Sequence, residues 1–249
     1  MRFLPAVIIL LSGCETEPTE LVVPNSAIVE QAIYIARPEP NLDLPILLRE
    51  LAENSTGCPQ VEVLEHGSDG HPPARVLLTG GCIRPDGAVV DGSLVLVERE
   101  DEQWFDGDGF VISRDNEREL FFDGTLETSE HQDLLLVDIS AAWCGGSAVP
   151  CADSPVTVDL SYSIYPAGGY PDAYDVTVSG VVSSGTQIAV EGAWSIDLAS
   201  CPGEPTDGVF ALQQGERHDL ILDGAIDCDS CADWTVQGVS VTEFCGVEF

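Results

Sequence analysis

The 249-residue chain contains no lysine, and nine arginines face 43 acidic residues. The formal net charge is therefore −34 at pH 7. Such a field repels phosphate backbones and anionic lipid head groups, which disfavours nucleic-acid binding and polybasic membrane attachment. The same composition is typical of GC-rich genomes and of saline habitats. Because 44% of the residues are hydrophobic, the chain can still bury a core and is not a disordered acidic tail.

The sequence also lacks the local arrangements by which exported enzymes are usually recognised. It contains no G-x-S-x-G nucleophile elbow. Four histidines are present, and none has a partner at a fixed spacing: His66, His71, His131 and His218. A triad could still assemble in space, but no local pattern indicates one. We therefore predict a non-enzymatic protein.

The first fourteen residues are typical of an export signal. Met1 and Arg2 precede an apolar run over residues 3–11, which is too short to span a bilayer as a permanent helix. The next segment, Leu11-Ser12-Gly13-Cys14, resembles a lipobox, the processing site of bacterial lipoproteins. The resemblance implies cleavage of signal peptide 1–13 and a diacylglycerol on Cys14. The alternative is an ordinary signal peptide that is cut elsewhere.

The same resemblance implies a location in the cell envelope. In that family, Glu15 rather than Asp after the lipidated cysteine favours the outer membrane, on its periplasmic or surface face. Residues 14–24 are predicted to comprise the lipidated cysteine and a short tether rich in Glu, Pro and Thr. The membrane is therefore an expected partner, through the lipid alone.

Eight cysteines remain besides Cys14. An even set in an exported chain predicts four disulfides, because the compartment beyond the inner membrane is oxidising. Cys58-Pro59 before Cys82 is similar to Cys201-Pro202 before Cys228, with a strand expected inside each interval. We favour the pairs Cys58–Cys82, Cys144–Cys151, Cys201–Cys228 and Cys231–Cys245. The C-x-x-C spacing of Cys228 and Cys231 also suits a metal or redox site, but no second such motif is present.

Residues 25–56 are predicted to form a short helical segment. Asn25 or Ser26 can cap a first helix, which must end near Arg37 because Pro38 follows. Asp43 is the expected cap of a second helix. The apolar residues of this second helix fall on one face, namely Leu44, Leu47, Leu48, Leu51 and Ala52.

Residues 57–249 are predicted to be an antiparallel β domain. Residues 156–164 alternate between apolar and polar side chains, which is typical of a strand with one buried face. Similar runs occur near residues 88–98, 103–112, 117–127, 132–140, 174–182, 188–198 and 217–226. Because no helices separate them, we predict a mainly β fold with one or two short N-terminal helices. The disulfide-stapled meander is expected to form a barrel or a strongly curved sheet.

An imperfect repeat places a glycine between two apolar residues on the apolar face of a strand. It occurs around Gly92, Gly124, Gly180, Gly192 and Gly224. A missing side chain lets a sheet coil, or leaves room for a neighbouring aromatic ring. We interpret the glycines as curvature devices, and the alternative is a binding trough.

Two segments are weak candidates for metal binding. His66 and His71 could supply imidazoles, but a polar hairpin tip is the favoured interpretation. Asp106 and Asp108 resemble the start of a calcium loop with Glu117 at its twelfth position, but a tight acidic turn is favoured. No cofactor is predicted, although so acidic a surface favours weak binding of Ca²⁺.

The cysteine-containing motifs of the predicted β domain resemble those of a second group of proteins. The Cys-Pro, Gly-Gly-Cys and Asp-Cys-x-x-Cys motifs between strands are similar to those of acidic, cysteine-rich lipoproteins of the myxobacterial type. This resemblance covers roughly residues 57–249 and implies no activity.

Two functions remain from the sequence. The first is a structural or interaction module at the cell surface. The second is a carrier that holds an apolar ligand inside a barrel or half-barrel, with the leucine helix as a lid. A poorly filled interior around Trp194, Phe122 and Leu222 would favour the carrier, and a filled one the module. An integral outer-membrane barrel is a third alternative, which lipidation and the many cysteines disfavour.

Overall fold

The computed structural model describes most of the chain from the second half of the predicted helical segment onward. The described residues are 32, 35–67, 74–145, 149, 151, 155–166, 173–183, 185–197, 199–201, 205–222 and 231–245. Predictions about Cys14, the tether, Asn25, Ser26, His71, Gly224 and Cys228 fall outside them. No helix in the described part is both long and apolar enough to cross a membrane.

The described chain is mainly β. The described residues contain one helix for which both ends are described, α1 (Pro38–Glu53), and fourteen strands. The strands are β1 (Gln60–Glu65), β2 (Arg75–Thr79), β3 (Cys82–Ile83), β4 (Val89–Glu98), β5 (Glu102–Arg114), β6 (Glu117–His131), β7 (Leu134–Gly145), β8 (Val156–Pro166), β9 (Ala173–Ser183), β10 (Gln187–Asp197), β11 (Pro205–Gln214), β12 (Glu216–Leu222), β13 (Cys231–Val236) and β14 (Val239–Cys245). Each predicted β run corresponds to one of these strands.

All the strands belong to one antiparallel meander. The order is β1-β2-β4-β5-β6-β7-β8-β9-β10-β11-β12-β13-β14, and the short β3 pairs with β4 beside this path. The predicted meander is therefore confirmed. Within the described residues β1 and β14 are the two edges and do not pair with each other. The sheet is open, and closure into a barrel is not confirmed.

The period-two sequence gives the sheet one buried and one exposed face. In β8 and β10 buried and more exposed residues alternate over almost the whole strand. The buried sides of neighbouring strands join into one hydrophobic core that also includes residues of α1. Its largest fully buried side chains are Trp143, Phe105, Phe110, Phe122 and Phe210. We call the buried side the inner face and the other side the outer face.

Helix α1 begins earlier than the sequence predicts. It starts at Pro38 and not after Asp43, so Asp43 lies inside the helix and does not cap it. Pro suits the first helical position, because its missing N–H has no partner there in any case. Arg37 is extended and has no capping side chain; it separates α1 from the helical residues 35 and 36. Leu44 and Leu48 are buried, as the leucine pattern predicts.

A buried polar cluster attaches α1 to the sheet. The Asn41 Nδ2 donates to the carbonyl oxygens of Ile35 and Arg37, each at 2.9 Å, and to the Tyr162 hydroxyl of β8 at 2.7 Å. That hydroxyl in turn donates to the Ala36 carbonyl at 3.2 Å. The cluster therefore ties the helix, the turn before it and the inner face together.

The repeated glycines do not share one role. Gly192 is buried, and a Cβ there would lie 2.8 Å from the Trp194 ring and 3.1 Å from that of Phe210. Its missing side chain leaves room for aromatic rings. Gly92, in contrast, is exposed at a bulge with φ +76°, so the prediction that every glycine lies on the apolar face is wrong there. At Gly92 the backbone of β5 approaches too closely for a side chain.

Two of the four predicted disulfides are confirmed. Cys58 bonds to Cys82 and Cys144 bonds to Cys151, with Cα–Cα distances of 5.8 and 5.1 Å. Cys201 and Cys231 are also disulfide-bonded. Cys231 lies opposite Cys245 in the β13–β14 register. The pairings Cys201–Cys228 and Cys231–Cys245 stay predictions. Cys228 lies outside the described residues, and the side chain of Cys245 lies outside the described side chains.

Candidate functional site

The acidic candidates for calcium lie in a strand and not in a turn. Asp106 and Asp108 occupy the middle of β5, with exposed side chains on the outer face. The interpretation of this run as a tight acidic turn is therefore wrong. Its glycines belong to an irregularity, since the β5–β6 register shifts between Gly107 and Phe110. The backbone N–H of Gly109 donates to the Asp123 carboxylate at 3.2 Å, which ties the irregular segment to β6.

The histidine candidates for metal binding are not brought together in the described structure. His66 is exposed just after β1, in the connection to β2, and His71 lies outside the described residues. Among the residues that the structure describes, no group of three or more His, Cys, Asp or Glu is arranged to hold a metal ion.

His218 belongs to the core. Its side chain is only 6% exposed on the inner face of β12. The Trp234 Nε1–H donates to its Nδ1 at 3.3 Å, which leaves the proton of the neutral ring on Nε2. Burial lowers the pKa of His218, although the carboxylates of Glu216 and Asp219 act in the opposite direction. The imidazole is thus held in its neutral form by its surroundings.

Aromatic side chains fill the part of the inner face where the glycine pattern would place a ligand trough. Trp194, Phe122 and Leu222 are all buried. The Trp194 ring lies over Gly192 and makes an edge contact with Phe210, with ring centroids 5.9 Å apart. In this described region the space beside the glycine is therefore occupied by the protein's own side chains.

A groove with a volume of about 420 Å³ lies on the outer face at the β1 end of the sheet. We call it the outer groove. It is lined by Glu65, Arg75, Val97, Arg99, Glu102, Gln103, Trp104 and Glu127. The β register explains why these residues meet although they are spread over more than sixty positions. One cross-strand row runs through Glu65, Arg75, Val97, Trp104 and Glu127.

Two side chains of the outer groove are unpartnered among the described residues. Arg75 is exposed and has no described carboxylate within ion-pair distance, although Glu65 stands opposite it in the register. Trp104 is half-buried and its indole has no hydrogen-bond or ring partner there. At the rim, Arg99 and Glu102 pair with each other at 3.5 Å. Among the described residues, the groove therefore contains an arginine and a half-buried tryptophan without partners.

A second cavity, of about 340 Å³, lies between the end of α1 and the turn after β3. Its wall includes Cys58 of the first disulfide and Asp86 of the turn. The backbone N–H of Ala88 lowers the pKa of the Asp86 carboxyl, and Arg84 and Arg114 act in the same direction. Asp86 is thus already engaged by its own turn and by two arginines.

The outer groove is not evident from the amino-acid sequence. Period two places Trp104 on the outer face, because Phe105 is buried, and an outward tryptophan is a detectable signal. The meeting of Trp104 with Arg75 depends on the exact register of three strands. Alternation alone does not give that register. Comparison of the chain with protein-family models, with curated proteins and with solved structures found no match.

Proposed function

We propose that the chain is a non-enzymatic, lipid-anchored interaction module of the bacterial cell envelope, with its anchor on Cys14 and a location at the outer membrane. The observation that supports a module over an apolar carrier is the filling of the inner face. Trp194 and Phe210 occupy the space that Gly192 leaves, so a ligand there would have to displace them.

The proposal includes a strongly curved sheet that covers its own inner face. Thirteen strands side by side span roughly 60 Å, at about 4.8 Å a strand. Helix α1 has 16 residues and is about 24 Å long, so it covers only part of that width. Curvature explains how inner-face residues as far apart as Leu78 and Trp234 are both buried.

A non-catalytic role is supported by the places of the three described histidines. His218 is in the core, where its Nδ1 accepts from Trp234. His66 and His131 are exposed at or just beyond the ends of their strands. Together with the missing nucleophile elbow, this arrangement favours binding over group transfer.

One protein preparation tests both the lipid anchor on Cys14 and the filling of the inner face by the protein's own side chains. The full chain is expressed in a bacterial host beside the variant Cys14→Ser and analysed by native mass spectrometry. We expect a diacylglycerol on the wild type alone, and no copurifying apolar molecule on either protein. An unmodified Cys14 would contradict the anchor, and a bound apolar molecule in stoichiometric amount would favour the carrier.

A further inference from the structure

We propose that edge strand β1 binds an extended segment of another protein in which lysine or arginine alternates with apolar residues, and that this segment adds to the sheet as a further strand. The inference deepens the interaction function proposed above and rests on it for the non-catalytic, binding role. It starts from strand β1, whose six residues are all exposed. Among the described residues, β1 pairs with β2 on one side and with no strand on the other.

The side of β1 that faces away from β2 offers backbone hydrogen bonds. In an antiparallel strand about half of the N–H and C=O groups point away from the strand with which it is paired. Such groups on an edge are a template for pairing with another extended chain. The disulfide between Cys58 and Cys82 ties the residues just before β1 to β3, so the edge is held in place before a partner binds.

The inward side chains of β1 are apolar and exposed. Val61 and Val63 stand opposite Leu78 and Val76 of β2, so all four side chains point to the inner face. Leu78 and Val76 are 0% and 5% exposed, whereas Val61 and Val63 are 41% and 38% exposed. Protected edge strands often carry a charge at such inward positions, and β1 does not. An added strand with apolar inward residues would extend the core over these two valines.

The outward side chains of β1 favour a basic partner. Glu62 and Glu65 stand opposite Leu77 and Arg75 on the outer face, and neither glutamate has an ion pair among the described residues. A lysine or arginine beside them in a neighbouring strand is stabilising, and an acidic residue there is destabilising. The net charge of −34 acts in the same direction at longer range.

A second copy of the chain fits this edge poorly. Antiparallel pairing of β1 with its own copy would bring Glu62 and Glu65 of both strands together, between two molecules that each carry a net charge of −34. The chain also contains no lysine. Edge charges, and bulges such as the one between Val63 and Glu65, prevent self-association. The same charges attract a partner of opposite sign, so they select between partners.

The test is titration of the full chain in detergent with four labelled octapeptides, followed by fluorescence anisotropy. The first peptide alternates lysine and valine, and the second alternates glutamate and valine. The third has all its lysines before all its valines, and the fourth is the first with every backbone nitrogen methylated. We expect the first peptide to bind at least about tenfold more tightly than each of the others, because it alone combines basic charge, alternation and backbone donors.

An exchange of charge on β1 is the decisive variant. We expect Glu62→Lys with Glu65→Lys to weaken binding of the lysine–valine peptide by at least about tenfold, and to make the glutamate–valine peptide the better ligand. The matched control is Asp106→Lys with Asp159→Lys, which changes the net charge equally at exposed outer-face positions of β5 and β8. The control should preserve the order of the peptides and stay within about threefold of the wild type, since it alters only the long-range field.

Three results would overturn the proposal. The first is equal binding of the block or methylated peptide, which would show attraction by net charge alone. The second is an unchanged preference in the β1 variant, and the third is a dimer of the wild type that the lysine–valine peptide dissociates, which would make a second copy the occupant. Circular dichroism of each variant separates loss of the site from loss of the fold. Because the titration does not depend on the lipid, a chain without a lipid that still binds would contradict the anchor and leave the β1 site standing.

Discussion

His218 and Trp234 form a polar contact inside an otherwise apolar face. The imidazole lies on β12 opposite Val236 of β13, and the indole of Trp234 approaches it at a ring-centroid distance of 5.9 Å. The Nδ1 accepts a hydrogen bond from the indole N–H, so the pair satisfies one buried donor. The arrangement requires an unprotonated Nδ1, which makes this residue sensitive to acid.

We predict that His218 makes the fold less stable below neutral pH. Its folded-state pKa is lowered by burial, so below about pH 6.5 the unfolded state binds more protons than the folded state. The contribution of neutral His218 to the free energy of unfolding is complete above about pH 6.5. It is lost as the pH falls toward the pKa of His218 in the folded state. Urea unfolding at pH 7.5 and 5.5 should show a smaller loss for His218→Gln than for the wild type. An equal loss in both proteins would contradict the prediction, whatever the carboxylates contribute.

Gly192 should tolerate no larger side chain. We expect Gly192→Val to lower the free energy of unfolding by about 1–3 kcal/mol, because the Trp194 ring already occupies the space of the new Cβ. Ala193→Val, one position along β10 and exposed, is the matched control and should change the free energy by less than about 0.5 kcal/mol. Both values come from urea unfolding. A neutral Gly192→Val would show that the interior has spare room.

At the scale of elements, the two described disulfides differ in what they close. Cys58–Cys82 spans 24 positions and joins the segment before edge strand β1 to β3, whereas Cys144–Cys151 spans only seven. The larger loop loses more freedom in the unfolded chain when it is closed. The first bond therefore has more effect on stability and holds the start of the sheet in place.

We predict that removal of the Cys58–Cys82 disulfide destabilises the protein more than removal of the Cys144–Cys151 disulfide. Replacing both Cys58 and Cys82 by Ser should lower the free energy of unfolding by about 3.5 kcal/mol, and the same change at Cys144 and Cys151 by about 2.5 kcal/mol. Denaturant unfolding of the two double variants measures the difference. If the seven-residue bridge had the larger effect, native-state contacts rather than loop closure would control the stability.

The elements differ in how far the sequence predicts them. Strands such as β8 and β10 follow directly from the alternation of apolar and polar residues, because one side of each strand is buried and the other is more exposed to solvent. The start of α1 differs from the prediction, because Pro38 can end one helix or begin the next and Asp43 resembles a cap although it lies inside α1. The outer groove could not be predicted, since it requires the register of β1, β2, β4, β5 and β6 together.

At the scale of the whole molecule, the charge is concentrated on the outer face and in the loops. Asp106, Asp123 and Asp138 lie on exposed positions of three successive strands. Repulsion of this kind destabilises a compact state and weakens when salt screens it.

We predict that the thermal midpoint rises when sodium chloride is increased from about 10 mM to about 0.1 M. Over this range the screening length falls from about 30 to about 10 Å. Calcium chloride at equal ionic strength is the control for specific binding. A similar rise with both salts indicates screening, and a much larger rise with calcium indicates a site. A midpoint that is unchanged or falls in sodium chloride would contradict the prediction.

The meander has a consequence for how the molecule forms. Along the main path each strand from β4 onward is hydrogen-bonded to the strand that precedes it in the chain. Such a topology has low contact order, because no pairing has to wait for a distant segment. Each new hairpin adds to an edge that already exists. The sheet can therefore grow from its first strands while the remaining chain is still extended, as it is on a ribosome.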